Sequence, residues 1–500
     1  MTLSVAVLGA GPGGIAMGIA LERAGYDFTI YERSDGVGGV WRDNTYPGAA
    51  CDVPSHFYSY SFELNPWWSR TYATQPEILD YFERCTDRYG VRPHVRTNTH
   101  IETARWDEAG QVWTLTAASG EVFSAHVLVS GLGMLNVPHI PDIPGMGTFR
   151  GRLFHSSRWD HTKPLTGERV ASIGTGASAV QYVPAIAPEV EHLTVFQRSP
   201  IWITPRLDKA YTAEEQRRFA RVPLVARLHR LRIWRDYQRS SFQVDSEQTV
   251  LLTELARSYL ARKVEDPALR QALTPDYPVG CKRPLISRNW LPALVRPNVR
   301  LVTEPITAIT ESGVRTADGE DHDVDTIILG TGFEANQFLS TIDVVGRDGH
   351  RLHEDWEEGA EAYLGLSVPN YPNFFLLYGP NTNGVTSILF MIEAQVHYIM
   401  RALRSMRWLG ISSVDVRRRV ASEYNARLQS SMRGTVWTAD CTNYFRTASG
   451  KVVTQLPFSG ARYWLRTRVF PLWRYHLERG GRPVRRPPPP VREKVLRAVR

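Results

Sequence analysis

Val5-Ala6-Val7-Leu8-Gly9-Ala10-Gly11-Pro12-Gly13-Gly14, running on through Ile15 to Ala24, decides how this chain begins to fold. Its first four residues form a short, wholly apolar run of the kind a buried parallel strand requires. The glycines keep the spacing Gly-x-Gly-x-x-Gly, and the stretch to Ala24 reads as a helix. In that setting Gly9 makes the tight turn, Gly11 lets a pyrophosphate approach the backbone, and Gly14 lets helix and strand pack closely. The helix N-terminus then offers its N–H groups to the anion. A second apolar strand, Phe28 to Tyr31, ends at Glu32, where a carboxylate can accept a ribose hydroxyl. Strand, glycine turn, helix, strand and acid together predict a dinucleotide-binding α/β unit.

The pattern recurs. Arg169 to Ile173 reads as a strand leading into Gly174-Thr175-Gly176-Ala177-Ser178-Ala179 and a helix through Ile186, with Ala179 small enough to replace the third glycine. The following strand, Leu193 to Phe196, ends in Gln197-Arg198-Ser199 without an acid. Arg198 can instead grip a 2′-phosphate with two parallel N–H groups, assisted by Ser199, so NADPH is expected rather than NADH. The fold class expected is therefore α/β, with two Rossmann-like dinucleotide-binding domains. Between Tyr211 and Leu273 lies a basic, helix-rich insertion, in which Leu224, Leu228 and Leu231 keep helical spacing while Arg227, Arg230 and Arg235 crowd the other faces. Asp266-Pro267 reads as an N-cap followed by proline at the first helical position.

Between the two glycine turns stands Phe149-Arg150-Gly151-Arg152-Leu153-Phe154-His155-Ser156-Ser157-Arg158-Trp159-Asp160. Its defined positions, Phe149, Gly151, His155, Trp159 and Asp160, resemble the fingerprint of Baeyer-Villiger monooxygenases, flavoproteins that turn ketones into esters or lactones. Gly38-Gly39-Val40-Trp41, followed by Tyr46-Pro47-Gly48 and Asp52, is similar to that family's second signature, and Gly280-Cys281-Lys282-Arg283 to its Gly-x-Lys-Arg stretch. The resemblance covers Leu3 to about Arg404 through specific motifs, and more loosely the portion to about Arg468. It implies FAD against Gly39, Val40, Trp41, Asp52, Tyr58, Ile101 and the loop bearing Asn381. It implies Lys282 at the 2′-phosphate of NADPH. It implies Arg283 as a catalytic cation that steadies a flavin peroxyanion, with Asp52 orienting it. Where many relatives carry Ser-Trp-Tyr, this chain reads Asn443-Tyr444-Phe445, which places Tyr444 toward the substrate. The expected division is a first FAD part over 1–145, an NADP domain over 146–330 with its insertion at 211–273, a second FAD part over 331–465, and a basic tail over 466–500. The closing Trp159-Asp160 pair favours ketone oxidation. Oxygenation of nitrogen or sulfur on the same scaffold stays open, as does a non-catalytic flavoprotein with an interaction role.

Composition narrows the partners. At 500 residues, 43% hydrophobic and 22% charged, the chain has the make-up of a globular protein of two or three domains. Its net charge of +8 is not spread evenly: Arg462 to Arg500 holds eleven Arg and one Lys against two Glu, so the rest of the chain sums to −2. That distribution gives no basic groove for nucleic acid. Contact of the basic tail with an anionic membrane stays an alternative. Cys51, Cys85, Cys281 and Cys441 are scattered without a Cys-x-x-Cys pair, and no metal site is expected. With no basic leader and no run of 18 apolar residues, a reducing cytoplasm is the expected compartment. The small-molecule partners expected are a ketone and O2, and the oligomeric state is left open.

Overall fold

The apolar runs read from the sequence become the inner strands of two parallel sheets. The computed structural model describes residues 3–237, 243–384 and 386–480. In chain order the framework elements are β1 (Ser4–Leu8), α1 (Pro12–Arg23), β2 (Asp27–Tyr31), β3 (Val95–Arg96), β4 (Val127–Ser130), β5 (Arg152–His155) and β6 (Arg169–Ile173). There follow α2 (Ala179–Ile186), β7 (His192–Phe196), β8 (Val299–Val302), β9 (Thr326–Leu329), β10 (Phe374–Leu376) and α3 (Ile388–Leu409). The first sheet has the order β10-β4-β1-β2-β3 and the second β8-β7-β6-β9-β5. Every pairing within them is parallel, with Val5 opposite Phe28 and Val127, and Leu193 opposite Val170 and Val299.

Parallel strands covered on both faces must be apolar throughout, and these are: Val7, Ile30, Val127, Val129, Val170, Leu193, Val195, Ile327 and Ile328 are all completely buried. Each such side chain contributes about 1.5–3 kcal/mol relative to exposure. Helix α1 lies directly on the first sheet because Gly14 carries no side chain: a Cβ there would collide with the carbonyl oxygen of Gly9. Pro12 at its first turn costs no helical hydrogen bond, and Ile15, Met17, Ile19 and Leu21 close the core beneath it.

Several expectations are adjusted. Past α1 and β2, β3 is followed by a separate strand, Ile101–Asp107, which pairs antiparallel with Val112–Ala117. Helix α3 runs to Leu409, stopped where Gly410 turns left-handed at φ +64. In the insertion, Leu224, Leu228 and Leu231 share helix Pro223–Tyr237 but lie 62%, 55% and 53% exposed. It is Arg230 that turns inward, donating to the carbonyls of His56 and Ser59 and pairing with Glu393 at 3.7 Å. Backbone carbonyls and Glu393 satisfy its guanidinium, and Ala226, Ile233, Trp234 and Tyr237 rather than the leucine stripe supply the helix's apolar contact with the core. Asp266 caps helix Pro267–Ala272 as expected, accepting from Ala268 N and Leu269 N. The stretch set apart as a tail begins structured: Tyr475–Glu478 pairs antiparallel with Ser413–Val416, and Tyr475 is buried. Its basic polyproline part, 481–500, lies outside the described residues. Among the described residues no helix is long and apolar enough to cross a membrane.

Candidate active site

Both glycine turns open at the C-terminal ends of their sheets into one cavity of about 1130 Å³. Its first end is lined by Gly9, Gly11, Glu32, Gly39, Val40, Trp41, Asp52, Tyr58 and Ile101. Its other end is lined by Gly174, Thr175, Gly176, Ala177, Ser178, Arg198, Ser199 and Lys282, and Arg283 and Tyr444 also face it. Three of the residues expected at the cofactors stand back from the wall. Gly14 and Ala179 sit beneath it, where their small size serves helix packing. Asn381 is only 3% exposed and spends its amide on the carbonyls of Val452 and Gln455, so it braces the loop while Asn383 and Thr386 line the cavity in its place. The sequence offered four polar residues in that loop and no means of telling which faces inward.

At the centre, Arg283 Nη2 stands 2.6 Å from Asp52 Oδ2. The two side chains keep 44% and 32% of their surface open, so the pair fronts the cavity rather than filling a sealed core. The Asp52 carboxylate holds the Arg283 guanidinium further above its already high range, against the opposing effect of burial. Asp52 is set in place from outside the pair. Arg206 Nη2 donates to the carbonyl of Cys51 at 3.1 Å and of Tyr72 at 3.2 Å. Gln181, on α2, donates to Ala50 O at 2.9 Å and accepts from Tyr46 Oη at 3.0 Å, so a residue of the second sheet holds the loop that carries Asp52. Neither Arg206 nor Gln181 stood out in the sequence, where each is one ordinary polar residue among many.

The interior of the first end fits a flavin nucleotide. Gly11 and Gly39 approach so closely that a Cβ on Gly39 would lie 2.9 Å from Gly11 Cα, leaving a bare backbone cradle at the start of α1. Glu32 accepts from Ala10 N at 2.7 Å and Ser34 N at 2.8 Å, which fixes its carboxylate at the end of β2 with lone pairs to spare. Trp41 donates from its indole to Tyr58 Oη at 2.9 Å. Thr386 Oγ1 is buried in the wall with no partner among the described residues, as a donor awaiting a ligand would be. The second end fits a phosphorylated dinucleotide. Lys282 Nζ lies 2.6 Å from Ser199 Oγ, and burial together with the neighbouring Arg198 pushes the lysine below its usual value. Two cations held against each other are relieved by an anion between them.

None of the five fingerprint residues lines the cavity itself. His155 accepts from Ser157 N on Nδ1 and stands 3.0 Å from Gly332 O on Nε2, so the Nε2–H tautomer ties the crossing strand to the return loop after β9. Burial holds its imidazole below the usual value, which suits that neutral role. Trp159 packs on Tyr182 at 5.4 Å, and Tyr182 meets Tyr46 edge-on at 6.1 Å. Asp160 pairs with Arg152 at 3.3 Å, Phe149 packs on the outer face of the second sheet, and Gly151 leaves room for the carbonyl of Asp325. Trp159 thus reaches the loop bearing Asp52 through Tyr182 and Tyr46, while His155 meets the wall directly at Gly332 and Phe333.

Two cysteines distant in sequence are joined, Cys281 to Cys441, with Cα atoms 6.5 Å apart. At a sequence separation of 160 residues, no local spacing marks this pairing.

Known proteins resemble this chain along nearly its whole length. The family described as pyridine nucleotide-disulphide oxidoreductase matches residues 6–222. A Baeyer-Villiger monooxygenase of Streptomyces coelicolor is 42% identical over 481 residues, 95% of this chain and 92% of that protein. Among solved structures, OTEMO in complex with FAD and NADP superposes with a TM-score of 0.86 at 28% identity, covering 95% of this chain and 99% of that one. The closed form of cyclohexanone monooxygenase gives a TM-score of 0.85 at 28% identity, over 96% and 100%. With two glycine turns facing one cavity, an arginine–aspartate pair between them, and that degree of identity along nearly its whole length, the chain belongs to the Baeyer-Villiger monooxygenases.

Proposed function

We propose that the chain oxidises a ketone to an ester or lactone, taking one oxygen atom from O2 and two electrons from NADPH, with FAD between them. Ketone, O2, NADPH and a proton give ester, NADP+ and water. The observation that supports this reading most is the Arg283–Asp52 ion pair in the cavity that receives both glycine turns. Bound FAD would supply two-electron exchange with the nicotinamide and the activation of O2.

The remaining work falls to the chain. Arg283 carries a permanent charge and steadies negative charge that develops on oxygen in the transition state, a task for which a fixed cation in a shielded cavity needs no reorganisation. Asp52 aims the guanidinium and partly neutralises it before the substrate arrives. Trp41 and Tyr58 wall the flavin end and restrict water, which would otherwise divert activated oxygen to hydrogen peroxide. Lys282, Ser199 and Arg198 hold the 2′-phosphate, and Glu32 holds the flavin's ribose. Tyr444 stands beside Arg283 at the substrate end, where burial raises its phenol and keeps it a neutral hydrogen-bond donor. The same reading divides the chain into flavin parts over 1–145 and 331–465 and a nicotinamide part over 146–330.

The test is product analysis. Flavin-loaded enzyme given NADPH, O2 and a panel of cyclic, linear and steroidal ketones is expected to yield an ester or lactone; no such product from any of them would overturn the reading. Arg283→Ala is expected to keep FAD while losing about a hundredfold or more in product formation, the equivalent of ~3 kcal/mol of transition-state stabilisation.

A further inference from the structure

The Cys281–Cys441 disulfide joins the two segments that form the reactive end of the cavity. Cys281 is completely buried in a small cluster with Trp202, Tyr277 and Val279, immediately before Lys282 and Arg283. Cys441 is half-buried, immediately before Thr442, Asn443 and Tyr444, all of which face the cavity. Asn443 Nδ2 lies 3.6 Å from Cys281 Sγ and 3.7 Å from Cys441 Sγ, so the loop folds over the bond itself. Arg446 donates to the carbonyls of Ala439 and Cys441 and Phe445 N to Asn443 Oδ1, while Phe445 O accepts from Val453 N and Arg446 O from Asn336, so the stretch from Thr442 to Tyr444 lies between the disulfide and this anchor. The remaining cysteines are ill suited to exchange. Burial pushes the Cys51 thiol well up and the Cys85 thiol up to about 12, which leaves almost no thiolate at either.

We propose that Cys281 and Cys441 form a redox-responsive strap that positions Arg283 and Tyr444 relative to one another, closed by a hydroperoxide and opened by a dithiol. Closing is 2 Cys-SH + H2O2 → Cys-S-S-Cys + 2 H2O: the thiols are oxidised by two electrons and the peroxide O–O bond is cleaved. Opening starts at the more accessible Cys441. A dithiol's thiolate attacks Cys441 Sγ and Cys281 leaves as a thiolate that takes up a proton; the dithiol's second thiolate then displaces Cys441 and closes a disulfide in the reductant. Hydrogen peroxide is also what this chemistry releases when oxygen is reduced without reaching substrate, so leakage would itself drive the strap closed. Closure would draw the Asp440–Tyr444 loop over the reactive end and reduce the leak.

This inference rests on the proposed function, and its test separates the two. Flavin-loaded enzyme is prepared after brief hydrogen peroxide treatment or after dithiothreitol, each then removed. Thiols are counted by alkylation under denaturing conditions and mass spectrometry. Peroxide release per NADPH is measured without ketone, and KM and kcat with cyclohexanone. The oxidised protein should carry two free thiols and the reduced protein four. Reduction should raise peroxide release about fivefold or more and raise KM with little change in kcat. Cys441→Ser should behave as the reduced enzyme after either treatment, without loss of FAD. Four free thiols after peroxide, or identical leakage in the two states, would overturn the strap. If thiol count and leakage shift as expected but no ketone is oxidised, the strap stands and the ketone reading falls.

Discussion

Arg283 and Asp52 illustrate how little of a side chain's role is its own. The pair is a plain ion pair by geometry, yet its meaning comes from standing open at 44% and 32% in a cavity between two nucleotide cradles. Lys282, one residue earlier, has a different partner and a different consequence. With Ser199 at 2.6 Å and Arg198 nearby, Lys282→Ala is expected to raise KM for NADPH about ten- to a hundredfold while leaving NADH nearly unchanged, since a charge-assisted contact contributes about 1.5–3 kcal/mol. Equal losses with both nucleotides would show that the lysine does not read the 2′-phosphate. A further residue-scale effect lies away from the cavity. Asp415 is 5% exposed and accepts from Asn370 N, and burial pushes its carboxyl up to about 7, with Glu478 and Glu108 adding to that and Arg347 opposing it. The folded protein thus holds a proton that the unfolded chain, with a value near 3.8, releases earlier. Stability should therefore fall as pH rises from about 4 to about 7 and level off above, by at most ~4 kcal/mol. Asp415→Asn should flatten that slope and raise Tm at pH 8; a slope unchanged in the variant would remove Asp415 as its source.

Among the elements, the contact of α1 with β1 bears the closest tolerance. Gly14 meets the carbonyl of Gly9 with no space for a methyl group, so Gly14→Ala must push the helix away from the sheet. The strain should cost about 1–3 kcal/mol and widen the cradle that the helix N-terminus forms. A lower Tm together with less bound flavin, read from the ratio of visible to ultraviolet absorbance, is the expected result. Full flavin content at the wild-type Tm would mean that the backbone relaxes at no cost. The helix Pro223–Tyr237 makes the complementary point. Its leucine spacing suggests a buried stripe, but the leucines stay in solvent while Ala226, Ile233, Trp234, Tyr237 and the hydrogen-bonded Arg230 face the rest of the molecule.

At the scale of the whole molecule, Gln181 is one of the links between the two halves, joining α2 to the loop before Asp52 by three hydrogen bonds through Tyr46 and Ala50. With Tyr182 beside it on α2, it conveys the position of Trp159 to the loop that carries Asp52. Gln181→Leu should bind FAD normally yet slow flavin reduction by NADPH about tenfold, since a misplacement of the two halves by a fraction of an ångström spoils the approach of the nicotinamide. Stopped-flow absorbance of the flavin would measure this, and an unaltered reduction rate would mean that the sheets are aligned by other contacts. The fingerprint that marks the family in sequence would then need another physical account than alignment.

The local sequence by itself determined both Rossmann-like units, because parallel-strand hydrophobicity, glycine turns and helix starts are near-neighbour requirements written within about thirty residues. It also marked the two nucleotide-facing ends of the cavity wall, since Gly9, Trp41, Gly174 and Lys282 belong to contiguous motifs whose spacing carries their geometry. Only the tertiary structure decided that Asn383 rather than Asn381 faces inward, that Gln181 and Arg206 hold the Asp52 loop, and that Cys281 meets Cys441. Those choices depend on which distant segments are brought together, and a single side chain's composition or spacing holds no record of a partner more than a hundred positions away.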